Sequence, residues 1–399
     1  MNANQPSLAC LGAPPAFAEK LHVGRPNIGD RERLLARIGG ILDRRWLSNN
    51  GECVREFEQR MCAVLGVKHC IPVCNATIGL EVAIRALGMK GEVIVPSFTF
   101  IATAHALQWQ EITPVFCDID PATHNLDPAR IEALITPRTS GIIGVHVWGR
   151  PCAIEPLAEI AKAHSLHLMF DAAHAFGCSH GGKMIGNFGE AEVFSFHATK
   201  FLNTFEGGAI ATNNDNLAER IRLMINFGFK GEDNVIYIGT NGKMHEASGA
   251  MGLTSLESMD EFIAVNRAHH HDYARTFDGI PGIALMRFDE KERSNFQYVI
   301  TEVDQAAFGL HRDELHRVLR AENVLVRRYF FPGSHKQQPY SAYYPNAGLL
   351  LPQTERVCGR VLSFPNGTAV TAGDIARVGD IVRAAHEHAP AVRRALQSN

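Results

Sequence analysis

One lysine stands in an unusual setting. Lys200 closes the string Ser195-Phe196-His197-Ala198-Thr199-Lys200 just past an apolar run, and Glu206-Gly207-Gly208 follows it. A lysine withdrawn from water has a lowered pKa and an amine able to attack a carbonyl. Asp171 directly follows LHLMF in FDAAHAFG. A carboxylate there is costly to bury without a partner; it reads as a helix cap or as the holder of a protonated ring nitrogen. Asn75-Ala76-Thr77 opens a helical stretch after another apolar run, where free N–H groups and the helix dipole suit a phosphate. Phe100 follows the next run and offers an aromatic face. Singly, each has an ordinary reading: Asn75 or Thr77 as a helix cap, Lys200 as a surface loop lysine. Their order along the chain carries more weight. An anion cup, a stacking ring, a carboxylate, a serine and an amine are what pyridoxal 5′-phosphate requires.

The elements that would position these residues alternate in type. VKHCIPVCN, EVIVPS, ITPVFCDID, GIIGVHVWG, LHLMFD, AEVFSFH and GGAIATN read as strands. Between them TIGLEVAIRAL, IATAHALQWQ, Asp127–Leu134 and AIEPLAEIAKAH read as helices. That alternation predicts an α/β fold with a mainly parallel sheet of seven strands flanked by helices. The runs are apolar throughout, as a sheet covered on both faces needs. Ligands of such sheets bind beyond the carboxyl ends of the strands, where the residues above are placed. Helices are also predicted over Asp30–Arg45 and near Val54–Val64. Residues 1–20 read as a loose N-terminal arm, 21–275 as a large domain and 276–399 as a smaller α/β domain that the N-terminal segment helps to complete. In the smaller unit YVITEV and VLVRR read as strands, DELHRVLRAENV and GDIARVGDIVRAAHEH as single helices. His269–His271 point in different directions from a helix, so a solvated face is expected there and no metal site.

Composition narrows the class. The chain has 399 residues, 46% hydrophobic and 20% charged, as in ordinary globular proteins. The net charge of −3 argues against a broad nucleic-acid surface. Nine cysteines, an odd number with no C-x-x-C pair, predict reduced thiols and a cytoplasmic protein. The N-terminus lacks a signal-peptide pattern, and no apolar run is long enough to span a membrane.

With these motifs in view, the sequence resembles the nucleotide-sugar aminotransferases of the DegT/StrS type, from about Arg25 to Val378. The resemblance is carried by WLSNNGECVREFE, VPSFTFIATAHAL, FCDIDPATHNLDPARIEALITPRTSGIIGVHVWGRPC, FDAAHAFG, SFHATKFLNTFEGGAI, TNGKMHEASGAMGL, RRYFFPGSH and LSFPN. It implies the fold-type I architecture of aminotransferases that use pyridoxal phosphate. It implies that Lys200 is the amine that joins the cofactor and shuttles protons, with Asp171 on the pyridine nitrogen. His174 would lie near the ring hydroxyl, where relatives usually have Gln. Phe100 would stack on the ring. The Ala76 and Thr77 N–H groups, with Ser195, would hold the phosphate. Asn241 would reach the phosphate of a neighbouring subunit, which implies a homodimer with shared active sites. Ala76 and Phe205 replace common glycines, and Lys243 a common arginine.

The implied activity is transfer of an amino group from L-glutamate to a nucleotide-linked keto-deoxyhexose, at C-4 of TDP-4-keto-6-deoxy-D-glucose. Lys243, Lys230, Arg327 and Arg328 are candidates for the pyrophosphate, and Tyr329 and His335 for the sugar. Amination at C-3 of a 3-keto sugar is the nearest alternative, and a binding or regulatory protein without turnover is another. A dehydratase of the same fold is disfavoured because those relatives replace the lysine with His. A nicotinamide dehydrogenase is discounted because no G-x-G-x-x-G follows the first strand.

Overall fold

The computed structural model of the protein describes residues 8–397. Seven strands form one sheet: β1 (His69–Val73), β2 (Glu92–Pro96), β3 (Thr113–Cys117), β4 (Thr139–Val145), β5 (His167–Asp171), β6 (Ala191–Ser195) and β7 (Gly208–Thr212). Their spatial order is β1-β7-β6-β5-β4-β2-β3, and β7 alone runs against the others. The mainly parallel α/β sheet predicted from the sequence is therefore present.

Period-two alternation sends neighbouring side chains of each strand into opposite cores. In β5, Leu168 and Phe170 join the cluster that holds Phe57 and Met251, whereas Met169 joins the one that holds Leu80 and Ile84. The first core is closed by α2 (Glu52–Leu65), α5 (Ile154–Ala163) and α7 (Glu246–Glu257). The second is closed by α3 (Ala76–Leu87), α4 (Ala102–Gln108) and α6 (Asp215–Met224). α1 (Arg31–Arg44) lies on α7, and α8 (Met259–Thr276) leads out of this layer.

A second lobe holds three antiparallel strands, β8 (Ile283–Leu285), β9 (Val299–Val303) and β10 (Val361–Phe364). α9 (Arg312–Ala321), α10 (Ala372–Glu387) and α11 (Ala389–Gln397) share its core with Tyr273 and Phe277. Leu21–His22 pairs in parallel with Val324–Leu325, so the start of the chain completes this lobe.

Several local expectations change. Residues 8–20 are packed rather than loose: Leu8 and Phe17 are buried in the second core, and the N–H groups of Ala9 and Ala16 donate to the Glu322 carboxylate at 2.6 and 2.7 Å. The first seven residues of the expected arm lie outside the described ones. Asp127–Leu134 is two 3-10 turns, because the Asp127 side chain caps tightly at Ala129 and Pro128 has no N–H to extend a longer helix. The strand read through Gly149 stops at Val145, and Trp148 turns with φ 63°. Of VLVRR only Val324–Leu325 is paired as a strand. The helix read to His388 ends there as expected, and a further helix, α11, follows it from Ala389. The His269–His271 face is not solvated: His269 and His270 are buried and bond to Asn366 and the Met286 carbonyl, while His271 pairs with Glu290. Both sides of α8 are covered at that point, which one-sided helical periodicity does not reveal.

Among the described residues no helix is long and apolar enough to cross a membrane, no group of three or more His, Cys, Asp or Glu could hold a metal, and all nine cysteines are free.

Candidate active site

The register of the sheet gathers the predicted residues at one edge. Gly208 pairs with both Val73 and Ser195, so the start of β7 lies between the ends of β1 and β6. The chain leaves β1 through Cys74 and Asn75 into α3. Asn75 is the cap: its side chain accepts from the Ile78 N–H at 2.9 Å. The N–H groups of Ala76 and Thr77, the first two of the helix, have no partner among the described residues. A Cβ on Gly208 would lie 2.8 Å from the Ala76 nitrogen and 2.7 Å from the Phe194 carbonyl oxygen, so only glycine allows this approach. Ser195 stands beside Gly208 at the end of β6, its hydroxyl 3.4 Å from the His197 N–H. Two free amides at a helix start and one hydroxyl can together take a phosphate dianion.

Asp171 ends β5 and is buried. It accepts from the Thr103 hydroxyl at 2.8 Å and from the Ala173 N–H at 3.1 Å. Thr103 gives its hydrogen to Asp171, so it accepts in turn from Thr99, at 3.0 Å. Burial nevertheless raises the Asp171 carboxyl above its ordinary range, against the pull of these bonds and of Lys200. Its ionised form is thus short of positive charge, which a protonated aromatic nitrogen would supply. His174 is buried as well, its ring stacked on Trp148 and Phe330. The Trp148 N–H donates to its Nδ1 at 3.1 Å. Burial, with the Lys200 charge adding to it, holds this imidazole well below its usual pKa, so the ring is neutral and carries its hydrogen on Nε2 as a donor.

Lys200 is anchored from both sides. Phe196 is fully buried and meets Phe57 edge-on at 5.6 Å, and Phe201 and Leu202 are buried immediately after the lysine. Burying each such side chain contributes about 1.5–3 kcal/mol, which keeps the loop from shifting as a unit. Burial brings the Lys200 amine down to about 8, with Asp171 opposing that shift. About a tenth of it is then neutral at pH 7, against well under a thousandth at an ordinary lysine. Its Nζ lies 3.1 Å from the Tyr298 hydroxyl. Lys200, Tyr298 and Tyr329 line one cavity together with Arg25, Asn266 and Asn366.

The other predicted residues are placed unevenly. Phe100 lies on the turn before α4 and is 59% exposed, its ring free of aromatic neighbours among the described residues. Asn241 is exposed in a loop tied to the end of β1 by the Cys74 N–H, which donates to the Gly242 carbonyl at 2.8 Å. Lys243 bonds to Asn226 at 2.7 Å and lies over Phe227, and Lys230 is exposed. Arg327 lies over the Tyr329 ring and has no acidic partner among the described residues, whereas Arg328 is bound by Asp313 at 2.8 Å in a groove against residues 9–12. His335 is not brought to the cavity: it is buried, with Nδ1 2.7 Å from Ser97 and Nε2 3.3 Å from Glu355, so neither nitrogen is free for a ligand. Phe205 holds φ 63°, which accounts for its glycine-like position. Thr99, Thr103, Trp148 and Tyr298 were not singled out from sequence. Tyr298 opens the YVITEV run, and nothing local marks it.

Comparison with known proteins gives the family of the chain. Residues 29–383 match the DegT/DnrJ/EryC1/StrS aminotransferase family. A dTDP-4-amino-4,6-dideoxy-D-glucose transaminase of Shigella dysenteriae is 41% identical over 314 residues, 78% of this chain and 85% of that protein. A GDP-perosamine synthase of Caulobacter vibrioides is 34% identical over 369 residues, 90% of this chain and 96% of the other. The crystal structure of DesI, determined in the presence of its TDP-sugar product, superposes with a TM-score of 0.93 at 48% identity, covering 98% of this chain and 99% of that one.

Proposed function

The chain belongs to the DegT/DnrJ/EryC1/StrS aminotransferase family, and on that premise we propose that it moves an amino group from L-glutamate to C-4 of TDP-4-keto-6-deoxy-D-glucose. The observation that carries the reading is Lys200, a lysine with its amine brought to about 8, beside a buried carboxylate short of a cation and at the same sheet edge as an unpaired helix start. The names of the Shigella enzyme and of DesI support a TDP-linked sugar and the C-4 position.

The residues fit pyridoxal 5′-phosphate. When bound, that group supplies an aldehyde that carries nitrogen and a ring that accepts electrons from the carbon losing a proton. The chain supplies the rest. Ala76, Thr77 and Ser195 hold the phosphate end. Asp171 keeps a positive charge on the ring nitrogen, and that charge in turn relieves the cost of burying the carboxylate. The neutral His174 offers its Nε2–H to a ring oxygen. Lys200, in its neutral form, takes the proton from the donor's α-carbon, and in its charged form returns one. Tyr298 and Tyr329 wall the lysine from bulk water. Arg327 and Lys243 are the proposed contacts of the substrate's pyrophosphate. Asn241 is proposed to reach the cofactor phosphate of a second copy of the chain, in a homodimer.

The test is incubation with pyridoxal 5′-phosphate, L-glutamate and either TDP-4-keto-6-deoxy-D-glucose or its 3-keto isomer, with products identified by NMR. An amine at C-4 is expected. An amine at C-3 would replace the regiochemistry, and the absence of nitrogen transfer to either ketone would overturn the assignment.

A further inference from the structure

The amine of Lys200 has one side-chain hydrogen-bond partner among the described residues, and it does not come from the large sheet. Tyr298 immediately precedes β9, in the second lobe. Its ring is buried against His174, with centroids 4.4 Å apart, and against Trp148 at 5.4 Å. Its neighbour Gln297 donates from Nε2 to the Thr199 carbonyl at 3.0 Å. Two adjacent residues of the second lobe therefore meet this segment, Gln297 at the carbonyl of the residue before the lysine and Tyr298 at the lysine's amine.

This matters at one stage of the reaction. While the donor's nitrogen occupies its place, the lysine is a free amine on a flexible four-carbon stem, and it must stay beside the carbon whose proton it moves. Asp171 does not hold it there, since its carboxylate is taken by Thr103, Ala173 and, in the proposed reaction, the ring nitrogen. A phenol hydroxyl accepts from an ammonium and donates to an amine, so the contact survives both protonation states of Lys200. Burial, with Tyr329 and the Asp171 charge adding to it, pushes the Tyr298 phenol well above its ordinary value, so it keeps its hydrogen throughout the working range. The charged or titratable groups around the amine are Asp171, His174, Tyr298 and Tyr329, and Arg25 lines the same cavity.

We propose that Tyr298 is a positioning residue whose hydroxyl retains and aims the free Lys200 amine during proton transfer, and so makes this step depend on the second lobe. The inference rests on the function proposed above.

Tyr298→Phe removes one oxygen and leaves the ring contacts in place. The variant should load pyridoxal 5′-phosphate as the parent does and melt at the same temperature. Its single-turnover rate with L-glutamate should fall about 10- to 100-fold at unchanged KM. The primary isotope effect with α-deuterated glutamate should rise, because proton transfer then limits the rate; a loss of packing alone would not raise it. A readout independent of activity is the crystal structure of the parent protein loaded with pyridoxamine 5′-phosphate, in which Nζ of Lys200 should stay within hydrogen-bond distance of the Tyr298 hydroxyl. Nζ lying elsewhere, or a Tyr298→Phe variant with parental rate and isotope effect, would overturn the role of Tyr298 while leaving the aminotransferase reading intact. A parent protein that neither binds the cofactor at Lys200 nor transfers nitrogen would overturn that reading, and the role of Tyr298 with it.

Discussion

Thr103→Val is the sharpest probe of how the site is tuned. The change is nearly isosteric, so α4 and its buried neighbours keep their packing, but Asp171 loses the 2.8 Å bond at Oδ2 and keeps only the Ala173 N–H at 3.1 Å. A hydrogen bond to a charged group contributes about 1.5–3 kcal/mol, and all of it favours the ionised carboxylate. Its loss moves an already raised Asp171 further up and weakens the support for a positive ring nitrogen. If that energy is felt fully in the rate-limiting barrier, the fall is roughly 10- to 100-fold, since each 1.4 kcal/mol is a factor of ten. Single-turnover kinetics with L-glutamate, followed through the cofactor's absorbance, would read it, with the ring-nitrogen protonation followed in parallel by 15N NMR of labelled cofactor. Thr103→Ser keeps the hydroxyl and should restore most of the rate. A Val variant within twofold of the parent, with unaltered ring protonation, would refute the claim that this bond sustains the charge on Asp171.

Other outcomes follow from the same geometry. With the Lys200 amine at about 8 in the cofactor-free protein, the rate at which Lys200 is modified by an amine-specific reagent should fall about tenfold per unit below pH 8 and level off above it; a flat profile between pH 6.5 and 8.5 would count against a lowered amine. The folded state disfavours the charge on this lysine, so in the cofactor-free protein Lys200 costs stability below pH 8, and that cost disappears as pH rises from 8 towards 10.5. Lys200→Met should accordingly raise the melting temperature at pH 7, by up to about 3 kcal/mol in stability, while abolishing transfer and borohydride trapping of the cofactor. Gly208→Ala should weaken cofactor binding at least tenfold and destabilise the fold by about 1–3 kcal/mol in urea titration, because both atoms its Cβ meets are backbone. Arg327→Ala should raise KM for the nucleotide sugar, whereas Arg328→Ala, whose guanidinium is already held by Asp313, should leave it unchanged.

The parts of the site legible in the sequence are those that each follow a strand of the same sheet. Asp171, Ser195 and the Asn75-Ala76-Thr77 turn sit at strand ends, and the alternation of apolar runs already places strand ends at one edge. What stayed hidden depends on distant contacts. Thr103 faces Asp171 because α4 packs over the end of β5, and nothing in IATAHAL distinguishes its hydroxyl from any other in a helix. Tyr298 reaches Lys200 only because the second lobe folds back. His335 is a candidate for the sugar from the resemblance alone, whereas in the structure Ser97 and Glu355 claim both its nitrogens. The same holds for the fold: periodicity found the sheet, but not the burial of His269 and His270 or the docking of residues 8–20, both decided by surfaces that face each other only after folding.

The reversed direction of β7 has a mechanical consequence. Parallel neighbours must be joined by a long crossover, but β6 and β7 are antiparallel and are linked by a hairpin-like connection that never leaves the reactive edge. Lys200 rides on that connection, tethered at Ser195 and again at Gly208 and pinned between by Phe196, Phe201 and Leu202. Extra residues in the crossovers would be absorbed far from the chemistry. Extra residues in this tether would lengthen the arm that aims the amine, so length variation should be tolerated least where the chain looks most like an ordinary loop.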